Sequence, residues 1–181
     1  MVGGPVTFRA KLVFEDVPGK ASRTESGESM DGGADQETGW RHEVVKGGEW
    51  DGWFLYGSDP FEDHAGPFYY RLRDDGTPLC AMRTEPKHMN GGGFMHGGAI
   101  MTFADYCLFV IAREALADSR AVTATFNGEF VGGAPPGALV ECTGEVVRNA
   151  RSMVFVRGLM TTGGEPVMSF SAVLKKTKPR T

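Results

Sequence analysis

The sequence predicts an α+β domain in which one antiparallel β-sheet curls around a single long helix. Three observations point that way. Residues from about Gly97 to Ala117 form the one long helical pattern, and it is apolar nearly all round, with Ile100, Phe103, Tyr106, Leu108 and Ile111 distributed over every face. A helix of that kind must be wrapped by other elements. Two strand-like runs precede it and four follow. The breaks between the last four are short, which favours antiparallel neighbours.

In chain order, residues 6–14 alternate, so that Val6, Phe8, Ala10, Leu12 and Phe14 would share one face of a half-buried strand. From Glu15 to about Gly39 the chain is polar and rich in Gly, Ser, Asp and Glu, the composition of a linker. The spacing of Trp50, Trp53 and Phe54 predicts a short amphipathic helix or turn. Residues 1–56 are therefore read as an N-terminal extension and 57–181 as the folded domain. Within it, 67–73 and 78–84 read as strands joined at Asp74-Asp75-Gly76. A glycine-rich loop, Asn90-Gly91-Gly92-Gly93, leads to the helix. Strands are expected at 121–130, 138–148, 152–161 and 166–176. Their breaks carry turn chemistry at Gly132–Gly137, Asn149-Ala150 and Gly163-Gly164-Glu165-Pro166.

Composition sets outer limits. A net charge of −4 argues against a nucleic-acid protein held by bulk charge, because phosphate neutralisation needs a basic surface. Cys80, Cys107 and Cys142 are odd in number and widely spaced, which suggests neither a disulfide framework nor a zinc site. A reducing cytosol is the simplest compartment. The N-terminus lacks the layout of a signal peptide, and the longest apolar run, Ala99 to Ala112, is too short to span a bilayer.

The chemistry concentrates around the helix. Asp105 is the only charged side chain between His96 and Arg113, and a buried carboxylate without a partner is costly. It reads either as a carboxylate bonded to a neighbouring strand or subunit, or as a functional acid. His96-Gly97-Gly98 opens the helix, where backbone N–H groups lack intrahelical partners and face the positive end of the dipole. Such a turn can polarise a carbonyl, or it is simply a helix start with a capping histidine. Asn90, six residues before His96, offers an amide donor, or ordinary turn chemistry. Asp105 follows His96 by nine residues, about 13 Å along a helix axis. One carbonyl cannot touch both in one chain, so either the two features are unrelated or a symmetric dimer combines them. No GxSxG elbow, P-loop, dinucleotide glycine pattern or HExxH occurs. Cys107 reads as a small core residue.

Asn90 followed by GGGFMHGGAIMTFAD through Asp105 resembles the PaaI-type acyl-CoA thioesterases of the hotdog superfamily. Their pattern is an Asn, a His-Gly-Gly six residues on, and an acid nine after the His. The resemblance covers roughly residues 57–177 and implies a hotdog fold, a sheet wrapped around a central helix. It implies that Asn90 and the Gly97 N–H polarise a thioester carbonyl, with Gly98 beside them at the substrate and His96 shaping the turn. Asp105 from a neighbouring subunit would act as general base or nucleophile. Thr123 falls where some members carry a hydroxyl that helps to hold the water. CoA would lie between subunits of a homodimer or a dimer-of-dimers tetramer. Arg148 and Arg151, flanking a predicted hairpin turn, either meet its phosphates or stand solvated there. No metal or cofactor is implied, and no nucleic-acid or membrane partner. A hotdog hydroxyacyl-thioester dehydratase and a non-catalytic acyl-CoA-binding hotdog protein are the alternatives. Phe94, Met95, Met101 and Phe103 could border an apolar tunnel, with aryl and medium-chain acyl groups both open.

Overall fold

A computed structural model of the chain describes residues 41–57 and 59–178. The strand expected at 6–14 and the polar segment to Gly39 lie outside the described residues. Strands β1 (Arg41–Val44), β2 (Phe54–Gly57), β3 (Tyr69–Leu72), β4 (Pro78–Arg83), β5 (Arg120–Phe130), β6 (Leu139–Asn149), β7 (Met153–Thr162) and β8 (Glu165–Thr177) form one sheet. Helix α1 (Pro60–Ala65) precedes β3, and helix α2 (Gly97–Ala112) lies between β4 and β5. The strand order is β1-β2-β3-β4-β6-β7-β8-β5, with every neighbouring pair antiparallel.

The sheet wraps α2 through the inward side chains of its strands. Met82 on β4, Val140 on β6, Val154, Val156 and Met160 on β7, and Met168 and Leu174 on β8 are all fully buried. From α2 they meet Phe103, Leu108 and Val110. Cys80 and Cys142 stand opposite one another on β4 and β6, and Cys107 belongs to the same core. All three are buried free thiols, and burial pushes those of Cys80 and Cys107 up. They are therefore core residues, as expected for Cys107. Gly144 lets the helix approach β6 closely. A Cβ there would fall 2.6 Å from Ile111 Cδ1 and 2.3 Å from the Arg157 carbonyl. The β7–β8 turn uses Gly163 and Gly164 at φ 56° and 87°, conformations that other residues adopt only with strain.

Three expectations are adjusted. The α-helix ends at Ala112, and Arg113–Leu116 continue as a 3-10 turn, a common way for a last turn to tighten. The stretch read as an extension ending at residue 56 supplies β1 and almost all of β2, which lengthen the sheet beyond β3. Of the short helix or turn expected around Trp50, Trp53 and Phe54, the turn is what forms. Gly48–Trp50 make one 3-10 turn, and Phe54 starts β2. Trp50 stacks on Tyr69 with centroids 4.2 Å apart, Trp53 meets Trp50 edge-on at 5.1 Å, and the Arg71 guanidinium lies 4.9 Å over Trp53. Ring packing across the turn explains the spacing that imitated a helix.

The surface of α2 also departs from expectation. Most of its faces are buried, but Gly98, Met101, Thr102, Asp105 and Phe109 are not. Their spacing places them on one stripe. The described residues therefore leave one open strip on a helix whose composition is apolar all round. At the sheet edge beside it, β5 pairs only with β8 among the described residues, and its eleven residues are mostly exposed. No helix among the described residues is long and apolar enough to cross a membrane.

Candidate active site

Asp105 sits midway along α2 on the open stripe, half-buried rather than enclosed. Its Oδ1 accepts a hydrogen bond of 2.7 Å from Thr123 Oγ1 on β5. The β5–β8 register shifts between Thr123 and Thr125. Bulges of this kind re-aim side chains locally. Asp105 borders a cleft of about 370 Å³ together with Asp59, Phe61, Glu62, Met101, Thr102 and Phe126. The carboxylate thus has the partner on a neighbouring strand that one reading of the sequence expected, and it borders an opening with partly apolar walls rather than being enclosed.

The second group assembles at the start of α2. His96 is the N-cap, and its Nδ1 accepts from the Gly98 N–H at 2.9 Å. With Nδ1 so used, a neutral imidazole carries its proton on Nε2. The Gly98 N–H is therefore committed within the turn, which leaves the Gly97 N–H as the neighbouring backbone donor. Phe130 at the end of β5 lies against Gly97, within 3.6 Å of where a Cβ would be. Asn90 is exposed in the glycine loop. Its Oδ1 accepts from the N–H groups of Gly92 (2.8 Å) and Phe94 (3.3 Å), so the turn uses the carbonyl end and the NH₂ end is the one available to donate outward. The loop is tied down by the Met95 N–H to the Ala134 carbonyl and by the His96 N–H to the His88 carbonyl, at 2.8 and 2.7 Å.

These two groups lie about 13 Å apart along α2 within one chain. Arg148 and Arg151 occupy a third place, around the β6–β7 turn. Both are exposed, and Arg148 borders an open hollow of about 460 Å³ with Val147, Ala150, Ser152, Met153 and Phe155. Among the described residues no cluster of His, Cys, Asp and Glu could hold a metal ion.

Two residues of this region have roles that the sequence reading did not assign. Glu62 on α1 shares the cleft with Asp105. Its carboxyl is pushed up to about 7, first by burial and then by the charges of Asp59, Asp105 and Asp63. His88 is only 4% exposed and joins three segments. Its Nδ1 accepts from the Glu85 N–H (2.8 Å), its Nε2 donates to the Ala65 carbonyl at the end of α1 (2.7 Å), and its own carbonyl holds His96. No local pattern marks either role, because their partners lie far away in sequence. His88→Ala is expected to lower stability by about 2–3 kcal/mol, since it leaves a donor and an acceptor unpaired and opens a void. Urea denaturation reads this directly, and a loss below about 0.5 kcal/mol would remove His88 as a strut of the site.

The family model of the thioesterase superfamily matches residues 92–169, which include the start of α2 and Asp105. A Pseudomonas aeruginosa protein carrying the provisional name esterase PA0474 is 32% identical over 120 residues, covering 66% of this chain and 90% of the relative. A mutant of the phenylacetic acid degradation protein PaaI from Thermus thermophilus superposes with a TM-score of 0.56 at 22% identity, over 66% of this chain and 100% of that one. A hypothetical thioesterase of Streptococcus pneumoniae TIGR4, solved with coenzyme A, gives 0.54 at 18% identity, over 63% and 88% of the two chains. A Streptococcus mutans UA159 protein bound to acetyl CoA gives 0.55 at 21%, over 63% and 91%. At these identities the structures speak to the fold, and they agree on it. By the sequence match to its Pseudomonas relative, by the family model and by this architecture, the chain belongs to the thioesterase superfamily and has its hotdog fold.

Proposed function

We propose that the protein is a PaaI-type acyl-CoA thioesterase that hydrolyses its substrate to a free acid and CoA. The observation that carries this reading is the Asp105–Thr123 pair, a carboxylate held by a hydroxyl at the mouth of an apolar-walled cleft on the open stripe of α2. Asp105 takes a proton from water as the water oxygen attacks the thioester carbon, or attacks that carbon itself to give, once the thiolate has left, a mixed anhydride that water hydrolyses to the free acid and the regenerated carboxylate. The Gly97 N–H and the Asn90 NH₂ stabilise the negative charge that grows on the carbonyl oxygen. His96 keeps the turn in shape. The C–S bond then breaks, and the CoA thiolate leaves and takes up a proton.

The distance along α2 supports a reading in which the two halves of this chemistry come from different subunits. The stripe on α2 and the edge of β5 that the described residues leave open are surfaces that a second copy would cover, which supports a homodimer or a dimer of dimers. CoA in this reading lies between subunits, with Arg148 and Arg151 placed to meet its phosphates. The three free cysteines suit a reducing cytosol.

A thiol-release assay over short, medium, long and aromatic acyl-CoAs tests the proposal. Liberated CoA is the expected result. Binding without release of thiol would reassign the protein as an acyl-CoA-binding hotdog, and water elimination from a hydroxyacyl thioester would reassign it as a dehydratase. Thr123→Val is expected to lower kcat about tenfold with little change in KM, because the lost hydrogen bond orients the carboxylate rather than the substrate. A change confined to KM would place Thr123 in substrate binding.

A further inference from the structure

Glu62 borders two voids. One is the cleft of about 370 Å³ that holds Asp105. The other is smaller, about 150 Å³, and is lined by Leu55, Tyr56, Asp63, Pro67, Phe68 and Tyr106. Tyr106 is 2% exposed, and its hydroxyl has no hydrogen-bond partner among the described residues. A buried hydroxyl is normally satisfied, and one left open beside a void is met by water or by a bound molecule. Glu62 thus lines both the cleft that holds Asp105 and a second void with apolar sides and a few polar atoms. The apolar walls of the cleft itself, Phe61, Met101 and Phe126, suit the body of an acyl chain.

The charges around Glu62 are of one sign. Asp59 and Asp63 face it from its own helix and Asp105 from α2, while the titratable neighbours Tyr56 on β2 and Tyr106 on α2 complete the surroundings. Among the described residues no Lys, Arg or His lines either void. An acyl group ending in a carboxylate would bring one more negative charge into a partly desolvated site whose lining, among the described residues of one chain, offers no cation, and like charges so placed repel strongly. An uncharged acyl group meets no such barrier.

We propose, on the thioesterase reading above, that Glu62 is a specificity-determining residue, whose carboxyl in the wall of the acyl path admits uncharged acyl groups and excludes those that end in a carboxylate. The discrimination depends on pH in a stated direction. With its carboxyl at about 7, Glu62 is mostly neutral at pH 6 and mostly ionised at pH 8, while the carboxylate of a dicarboxylic acyl group is ionised at both. The barrier therefore grows as pH rises. The CoA phosphates titrate identically in both substrates and cancel in the ratio.

The experiment compares kcat/KM for pentanoyl-CoA and glutaryl-CoA, acyl groups of equal carbon count, at pH 6 and pH 8. Wild type is expected to prefer pentanoyl-CoA by about tenfold or more at pH 8 and by less at pH 6. Glu62→Gln keeps the shape of the side chain and is expected to narrow the pH 8 preference at least about threefold, through the KM for glutaryl-CoA, and to flatten its pH dependence. Glutaryl-CoA used as well as pentanoyl-CoA by wild type, or an unchanged preference in a variant that folds by circular dichroism, would overturn the proposal. Should the variant fail to fold, the wild-type series decides alone, and a ratio that stays flat between pH 6 and pH 8 sinks it. Calorimetric affinities for non-hydrolysable thioether analogues of the two substrates give the same ratio without turnover. If no thioester is cleaved, the thioesterase reading falls, and the assignment of Glu62 is judged on those affinities.

Discussion

Replacing Asp105 by Asn is expected to lower turnover about 10²–10⁴-fold, the range typical of losing a general base, while the fold and acyl-CoA binding stay largely intact. Asparagine has the same shape as aspartate, and its carbonyl oxygen can still accept from Thr123 Oγ1, so the side-chain hydrogen bond that now holds Asp105 is preserved in kind. What disappears is the capacity to take a proton or to attack a carbon. The loss should therefore fall on kcat rather than KM. Three measurements on purified protein check this: thiol-release kcat on the best acyl-CoA, the thermal midpoint, and the affinity for a non-hydrolysable acyl-CoA analogue. A variant that turns over within a few-fold of wild type would take Asp105 out of the chemistry and leave it as a carboxylate held by Thr123.

Mixed dimers provide the second large effect. Chains carrying Asp105→Asn and chains carrying Asn90→Ala should each be nearly inactive alone, and should recover activity when their subunits exchange. The reason is geometric. The donors at the start of α2 and the Asp105 carboxylate are about 13 Å apart along one helix, so each proposed site takes its donors from one subunit and its acid from the other. In a mixed dimer one site then has an intact Asn90 from the first chain and an intact Asp105 from the second, while the other site carries both lesions. Statistical exchange makes about half of all dimers mixed, each with one working site, so recovery approaches about a quarter of wild-type activity. Exchange can be followed by native mass spectrometry of a tagged pair. Proven exchange without recovery would mean that each site lies within one chain.

Much of the architecture was legible because it rests on local rules. The expected strands at 121–130, 138–148, 152–161 and 166–176 each agree with an observed strand to within about a residue at either end, since alternation and turn residues mark both faces and limits. The helix start at His96 was legible for a similar reason. Its capping bond reaches only to Gly98, two residues away. The order of the sheet was not written in any local pattern. It is the pairing of β5 with β8, and not with its sequence neighbour β6, that carries Thr123 to Asp105 eighteen residues earlier in the chain. Likewise, His88 holds Ala65 from 23 residues away, and Glu62 reaches the cleft because α1 packs against α2. Composition alone implied a helix covered on every side, yet tertiary structure decided which side remains open in the single chain. Periodicity specifies which residues avoid water, but contacts between distant segments, and the surfaces left open, depend on how the whole sheet closes around the helix.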